Sequence, residues 1–165
     1  MKCMAFAIAA FIAAAAGAGT GCLRGAPAPA APTVEAPAEV VAAARATIEQ
    51  WRQAYEVRSL DALAKLYLQE LDLAVVQEGN AILGWSAVEA MLKDRLARAE
   101  AIHVRLRDLQ VVSLGQGLAS AVATMSRELV SGTTTITEQG ALSLVLRQRG
   151  DGWVIAAEHY SYRRP

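Results

Sequence analysis

Cysteine, histidine and phenylalanine are almost missing from this chain, with two of each among 165 residues. Both cysteines, Cys3 and Cys22, lie near the N-terminus, so no disulfide framework can staple the body of the protein. The two histidines, His103 and His159, are far apart and no acidic cluster accompanies either, so no metal site is expected. There is no nucleophile elbow, phosphate loop or dinucleotide fingerprint, and Gly115-Gln116-Gly117 reads as a hairpin turn; no cofactor is expected. An excess of charge is absent too: 16 basic residues balance 16 acidic ones. Arg95, Arg98, Arg105 and Arg107 are interleaved with Asp94, Glu100 and Asp108, and no basic stripe forms. Nucleic acid is therefore not an expected partner.

What the chain does have begins with an apolar run from Met4 to Ala16 behind Lys2, which inflates the 54 % hydrophobic content. A membrane span needs about 20 apolar residues, so this shorter run has the shape of a secretory signal core. The small residues Ala18-Gly19-Thr20-Gly21 before Cys22 resemble a bacterial lipobox, although Gly19 stands where leucine is usual. Residues 1–21 are thus expected to be a signal peptide, with lipid on Cys22; the other reading is ordinary cleavage in the Ala/Gly region, leaving Cys22 a stray thiol. Leu23 after the cysteine resembles the pattern of outer-membrane sorting. Residues 22–37 hold four of the five prolines and read as a semi-extended tether. The expected address is the cell envelope, on the outer rather than the inner membrane and facing the periplasm, with membrane contact through the lipid anchor alone. Residues 38–165 are left as one domain.

That domain changes period midway. Val41, Ala44, Ile48, Trp51 and Tyr55 recur at three- and four-residue steps and predict a helix over 38–58. Ser59 offers an N-cap to a short helix over 60–68, and a small hairpin is expected across Glu78-Gly79-Asn80. Ser86 and Glu89 have capping-box spacing and predict a third helix to Ala99. From Ile102 the apolar period is two, with a slip near Asp108 that predicts a β-bulge. Turns at Gly115–Gly117, Ser131-Gly132 and Gly150–Gly152 then delimit a long antiparallel meander. Helices followed by a meander make an α+β domain.

The order Ile48…Trp51…Tyr55, Ser59-Leu60-Asp61-Ala62-Leu63-Ala64-Lys65-Leu66-Tyr67, Gly84-Trp85-Ser86-Ala87-Val88-Glu89 and Trp153-Val154-Ile155…His159-Tyr160-Ser161 resembles the SnoaL-like group of the nuclear transport factor 2-like superfamily. The resemblance implies a cone-shaped fold, three N-terminal helices packed on a curved, mainly antiparallel sheet, and dimerisation through the outer sheet face. Residues Val122, Thr124, Val145, Val154, Ala156 and Tyr160 are assigned to that face. Some members are ketosteroid isomerases, whose base and oxyanion tyrosine fall here on Val75 and Trp51, so that chemistry is not expected. Relatives often pair a histidine at the place of His159 with another two residues earlier, where this chain has Ala157.

Even-numbered turns put Trp153, Ile155 and His159 on the face of Leu142, Leu144 and Leu146, because odd turns would bury Arg147 and Arg149. The same parity brings in Ile136, Glu138, Gly140, Met125, Arg127 and the small Ala119, Ala121 and Ala123, which leave room for a pocket. Trp51, Tyr55, Met125, Arg127, Glu138 and His159 are the ligand-binding candidates, with Arg127 and Glu138 also able to form an ion pair across the hairpin. Two functions stay open. One is a non-catalytic pocket that binds a small apolar molecule or a partner protein. The other is an isomerase, dehydratase or cyclase in which His159 works with Tyr55 or Glu138. The lipid-anchor reading makes a direct prediction. Cys22→Ser should abolish palmitate labelling in vivo and release the protein from membranes, whereas persistent labelling would place any anchor elsewhere.

Overall fold

A computed structural model describes residues 37–163. The expected signal peptide, Cys22 and nearly all of the expected tether fall outside the described residues. Pro37, read as the end of the tether, is instead the first residue of helix α1, Pro37–Glu56, a position where its missing N–H costs nothing. Val40, Ala44, Ile48, Trp51 and Tyr55 form its buried stripe. The helix ends two residues before the expected limit in a pair of reverse bonds, Ser59 N to Ala54 O (3.0 Å) and Arg58 N to Tyr55 O (3.0 Å). Arg58 takes the left-handed conformation this ending requires (φ 53°), and its guanidinium donates to the carbonyl of Ala99.

Ser59 caps α2, Leu60–Ala64, its hydroxyl accepting from Ala62 N at 3.1 Å. Strands β1, Ala74–Gln77, and β2, Asn80–Leu83, form the expected hairpin, closed by Glu78 and Gly79 at positive φ. Helix α3, Trp85–Arg98, does not use the predicted capping box. It starts two residues early, and its N-cap is Gly84 at φ 78°, ψ 152°, a conformation almost confined to glycine.

The remaining strands are β3, Ala101–Gly115; β4, Leu118–Ser131; β5, Thr134–Arg149; and β6, Gly152–Arg163. The sheet order is β2-β1-β6-β5-β4-β3, antiparallel throughout except where β1 runs parallel to β6. The bulge expected near Asp108 is present: the β3–β4 register shifts between Arg107 and Gln110, and Asp108 has φ 55°. Arg45 of α1 reaches across to it and donates to Leu109 O at 3.0 Å. The β4–β5 and β5–β6 hairpins close on two-residue loops, Ser131 pairing Thr134 and Arg149 pairing Gly152, as the parity argument required.

A second bulge overturns the rest of that argument. In β6, Ile155 pairs Leu146 but Ala157 pairs Val145, so Ala156 is an extra residue. At this point β6 changes its parallel neighbour. Ile155 exchanges backbone bonds with Leu66 (2.7 Å) and Leu68 (2.8 Å), and from Ala157 onward the partner is β1. The inserted residue reverses the faces: Trp153 and Ile155 point inward before it, and Glu158, Tyr160 and Tyr162 point inward after it. His159 is therefore exposed on the outer face. Tyr160, assigned from the sequence to the outer face, is fully buried, and Ala156 is taken up in the bulge. The register that forms puts two tyrosines against the core in place of a histidine and a serine, which favours it through buried aromatic area.

Between β5 and β6 the sheet closes tightly at Gly140, which faces Tyr162. A Cβ there would lie 1.8 Å from the carbonyl oxygen of Ser161 and 2.6 Å from Tyr162 Cα. The glycine is required by backbone proximity rather than by the need for an empty pocket. Gly140→Ala should lower stability by about 1–3 kcal/mol or more, as overpacking does. A urea midpoint equal to wild type would show that the strands do not approach this closely.

Candidate binding cavity

The helices cover the inner face of the sheet, and one end of that face stays open. A cavity of about 330 Å³ lies between the C-terminal half of α3 and the far ends of β4, β5 and β6. Met91, Asp94, Arg95 and Arg98 of α3 form one wall; Leu129, Ile136, Glu138 and Tyr162 form the other, and Glu78 also lines the cavity. Such a volume suits a small molecule. The wall carries both apolar and polar groups, and the polar ones connect to two buried networks.

The first network is an ion pair. Arg127 and Glu138 sit directly opposite each other on β4 and β5, and both are buried. Nε and Nη2 of Arg127 both donate to Glu138 Oε2, at 2.8 and 2.6 Å. The guanidinium carbon lies 5.1 Å from the ring centre of Tyr160 and 5.9 Å from those of Tyr55 and Tyr162. Three aromatic faces thus share the charge that the carboxylate neutralises. Tyr160 Oη closes the cluster by donating to Glu138 O at 3.0 Å.

The second network is a chain of uncharged and charged groups running out to the cavity. Trp51 Nε1 donates to Tyr67 Oη at 2.8 Å, and Tyr67 donates to Glu158 Oε2 through a short hydrogen bond. Gln77 Nε2 donates to the other oxygen of Glu158 at 3.1 Å, and Arg95 donates to Gln77 Oε1. Only because of the Ala156 bulge does Glu158 reach this chain.

These positions sort the sequence candidates. Glu138 lines the cavity; Arg127 holds it from behind; Trp51, Tyr55 and Met125 are core residues beneath the site. His159 is separated from all of them by the thickness of the sheet, so the structure does not bring it together with Tyr55 or Glu138. Arg127 and Glu138 form the pair expected from the hairpin register. Arg95, Glu158, Tyr67 and Tyr162 were not singled out. Arg95 was findable, because it stands four residues after Met91 and three after Leu92, on the apolar stripe of α3.

Helices leading into a curved, mainly antiparallel sheet with a cavity at its open end define a cone-shaped α+β pocket domain of the nuclear transport factor 2-like type. Solved structures agree. A candidate dehydratase of that superfamily from Streptomyces avermitilis superposes with a TM-score of 0.71 at 19% identity, over 78% of this chain and 99% of the other. A candidate aromatic ring hydroxylase from Novosphingobium aromaticivorans gives 0.70 at 17% identity, over 79% and 94%. A nuclear transport factor 2-like protein from Salmonella enterica gives 0.69 at 15% identity, over 76% and 92%. At these identities the likeness concerns the fold. Within it, residues 44–165 match the SnoaL-like domain, and the chain belongs to that family. No curated protein matches the chain.

Burial also sets the chemistry of the tyrosines. It pushes the Tyr55 phenol above its usual range, with the Glu158 charge adding and Arg95 and Arg127 opposing. Tyr67 is raised well above that range by burial and then by Glu158. Tyr160 is pushed up to about 12, again chiefly by burial, with Arg127 pulling the other way. A folded-state pKa above the unfolded value of 10.0 means that the native fold binds more protons on the alkaline side. Stability is then full below pH ~10 and is lost as pH rises through about 12. Phenolate absorbance should therefore rise together with loss of the near-ultraviolet circular dichroism. Reversible ionisation of all three tyrosines near pH 10 with the dichroism intact would contradict this.

Proposed function

We propose that this domain is a non-catalytic binding module that holds a small, partly apolar molecule in the cavity between α3 and the β4–β5 hairpin. The observation that carries this reading is the state of three acids at and behind that cavity, Glu138, Asp94 and Glu158. Glu138 is tied by two hydrogen bonds to Arg127, and a proton placed on Oε2 would break both. Asp94 is bound to Arg98 at 2.8 Å, and Glu158 is occupied by Tyr67 and Gln77. With His159 on the other face, the catalytic alternative loses the base it was built on. Fixed polar groups with apolar neighbours suit recognition better than proton transfer.

Two further parts of the reading concern setting. The domain is tethered through Cys22 to the envelope, a proposal that rests on the sequence before residue 37. It also pairs with a second copy through the outer sheet face, where Val122 and Val145 are 52% and 37% exposed beside a groove lined by Val76, Leu144 and Ala157. Native mass spectrometry of protein from its own envelope addresses binding and pairing together. A dimer mass carrying a small adduct is expected, and the adduct should be lost from Ile136→Trp, which fills the cavity. An adduct-free spectrum would remove the binding reading, and a monomer at micromolar concentration would remove the pairing.

A further inference from the structure

We propose that the ligand of this cavity is a small monocarboxylate with an apolar body, its carboxylate received by Arg95; this rests on the binding reading above and names the class of molecule bound. The argument is an accounting of donors. Among the described residues, three buried side-chain atoms lack a hydrogen-bond partner: Tyr55 Oη, Arg95 Nη1 and Arg127 Nη1. Two are obligate donors. The third is a phenol kept protonated by its burial; it lies close to Arg95 and Tyr67 and has a hydrogen to give as well as lone pairs. The interior thus has donors to offer, and an oxygen acceptor is the group that would satisfy them.

Charge selects the kind of acceptor. Arg127 has a carboxylate partner in Glu138. Arg95 has none within 4.0 Å among the described residues, and its guanidinium donates to the neutral amide oxygen of Gln77. Burial alone would lower its pKa, but the carboxylates of Glu158 and Glu138 favour the charged guanidinium, which arginine keeps in proteins. A largely buried cation without an ion-pair partner is costly, and an incoming anion relieves that cost. The guanidinium fork matches two carboxylate oxygens. Of the three atoms, Arg95 alone belongs to a residue on the cavity wall, so it is the one a ligand reaches. Met91, Leu129, Ile136 and the Tyr162 ring supply the apolar contact for the remainder of the molecule.

Phenylacetate and phenylacetamide share a body and differ in charge, and calorimetry on the full chain at pH 7 compares them. The acid should bind about tenfold tighter or more, as a charge-assisted bond gives. Arg95→Met should abolish that preference, and in the unaltered chain the acid should weaken as pH falls through its own ionisation. Equal affinity for acid and amide, or a preference that survives Arg95→Met, would overturn the carboxylate assignment and leave the pocket reading standing. Failure of both compounds to bind at millimolar concentration would overturn both. Should Arg95→Met not fold, the amide comparison and the pH dependence in the unaltered chain decide the matter.

Discussion

The interior depends on one constraint, the single extra residue at Ala156. A strand has only two faces, so one inserted residue exchanges every side chain beyond it. The insertion sits where β6 leaves the Leu66–Leu68 segment and takes up β1, so two parallel partners are served by one strand. Glu158 then faces Tyr67, and Tyr160 and Tyr162 close over Arg127. Without the bulge, Tyr67 would lose its acceptor and the Arg127 guanidinium would lose two of its three aromatic neighbours.

Burial of that much polarity has a definite energetic character. An ion pair such as Arg127–Glu138 gains little net stability over a well-packed apolar pair, yet breaking it from one side costs about 3–5 kcal/mol. Such pairs therefore restrict which arrangements of the interior are tolerable. Here the pair is built between two adjacent antiparallel strands, so register, not long-range contact, brings its members together. The Tyr67–Glu158–Gln77–Arg95 chain is the opposite case, assembled from four different places in the chain.

That difference accounts for what could be read from the sequence. Short-range patterns were legible: the α1 stripe, the Ser59 cap, the Asp108 bulge, the two-residue hairpin loops, and with them Arg127 opposite Glu138. The family pattern in the same residues pointed to the cone-shaped fold. The capping box at Ser86 failed because Gly84 could adopt a backbone angle that ended the loop two residues sooner. The His159 placement failed because parity was carried across Ala156 unbroken. A clue was present: apolar residues shift from odd positions, Trp153 and Ile155, to even ones, Tyr160 and Tyr162, the same signal that marked Asp108. What no local pattern contains is the parallel partnership of β6 with β1, and that partnership places the bulge.

The Asp108 bulge has a different significance when the sheet is viewed from its side. Strand β3 is a border strand of 15 residues, long enough to recruit a stranger's strand along its open row of amides and carbonyls. The bulge breaks that row in the middle, and Arg45 takes up the Leu109 carbonyl beside it. Arg105 and Arg107 place charge along the same stretch. The irregularity that reorients β3 thus also guards the sheet against growing by one more strand.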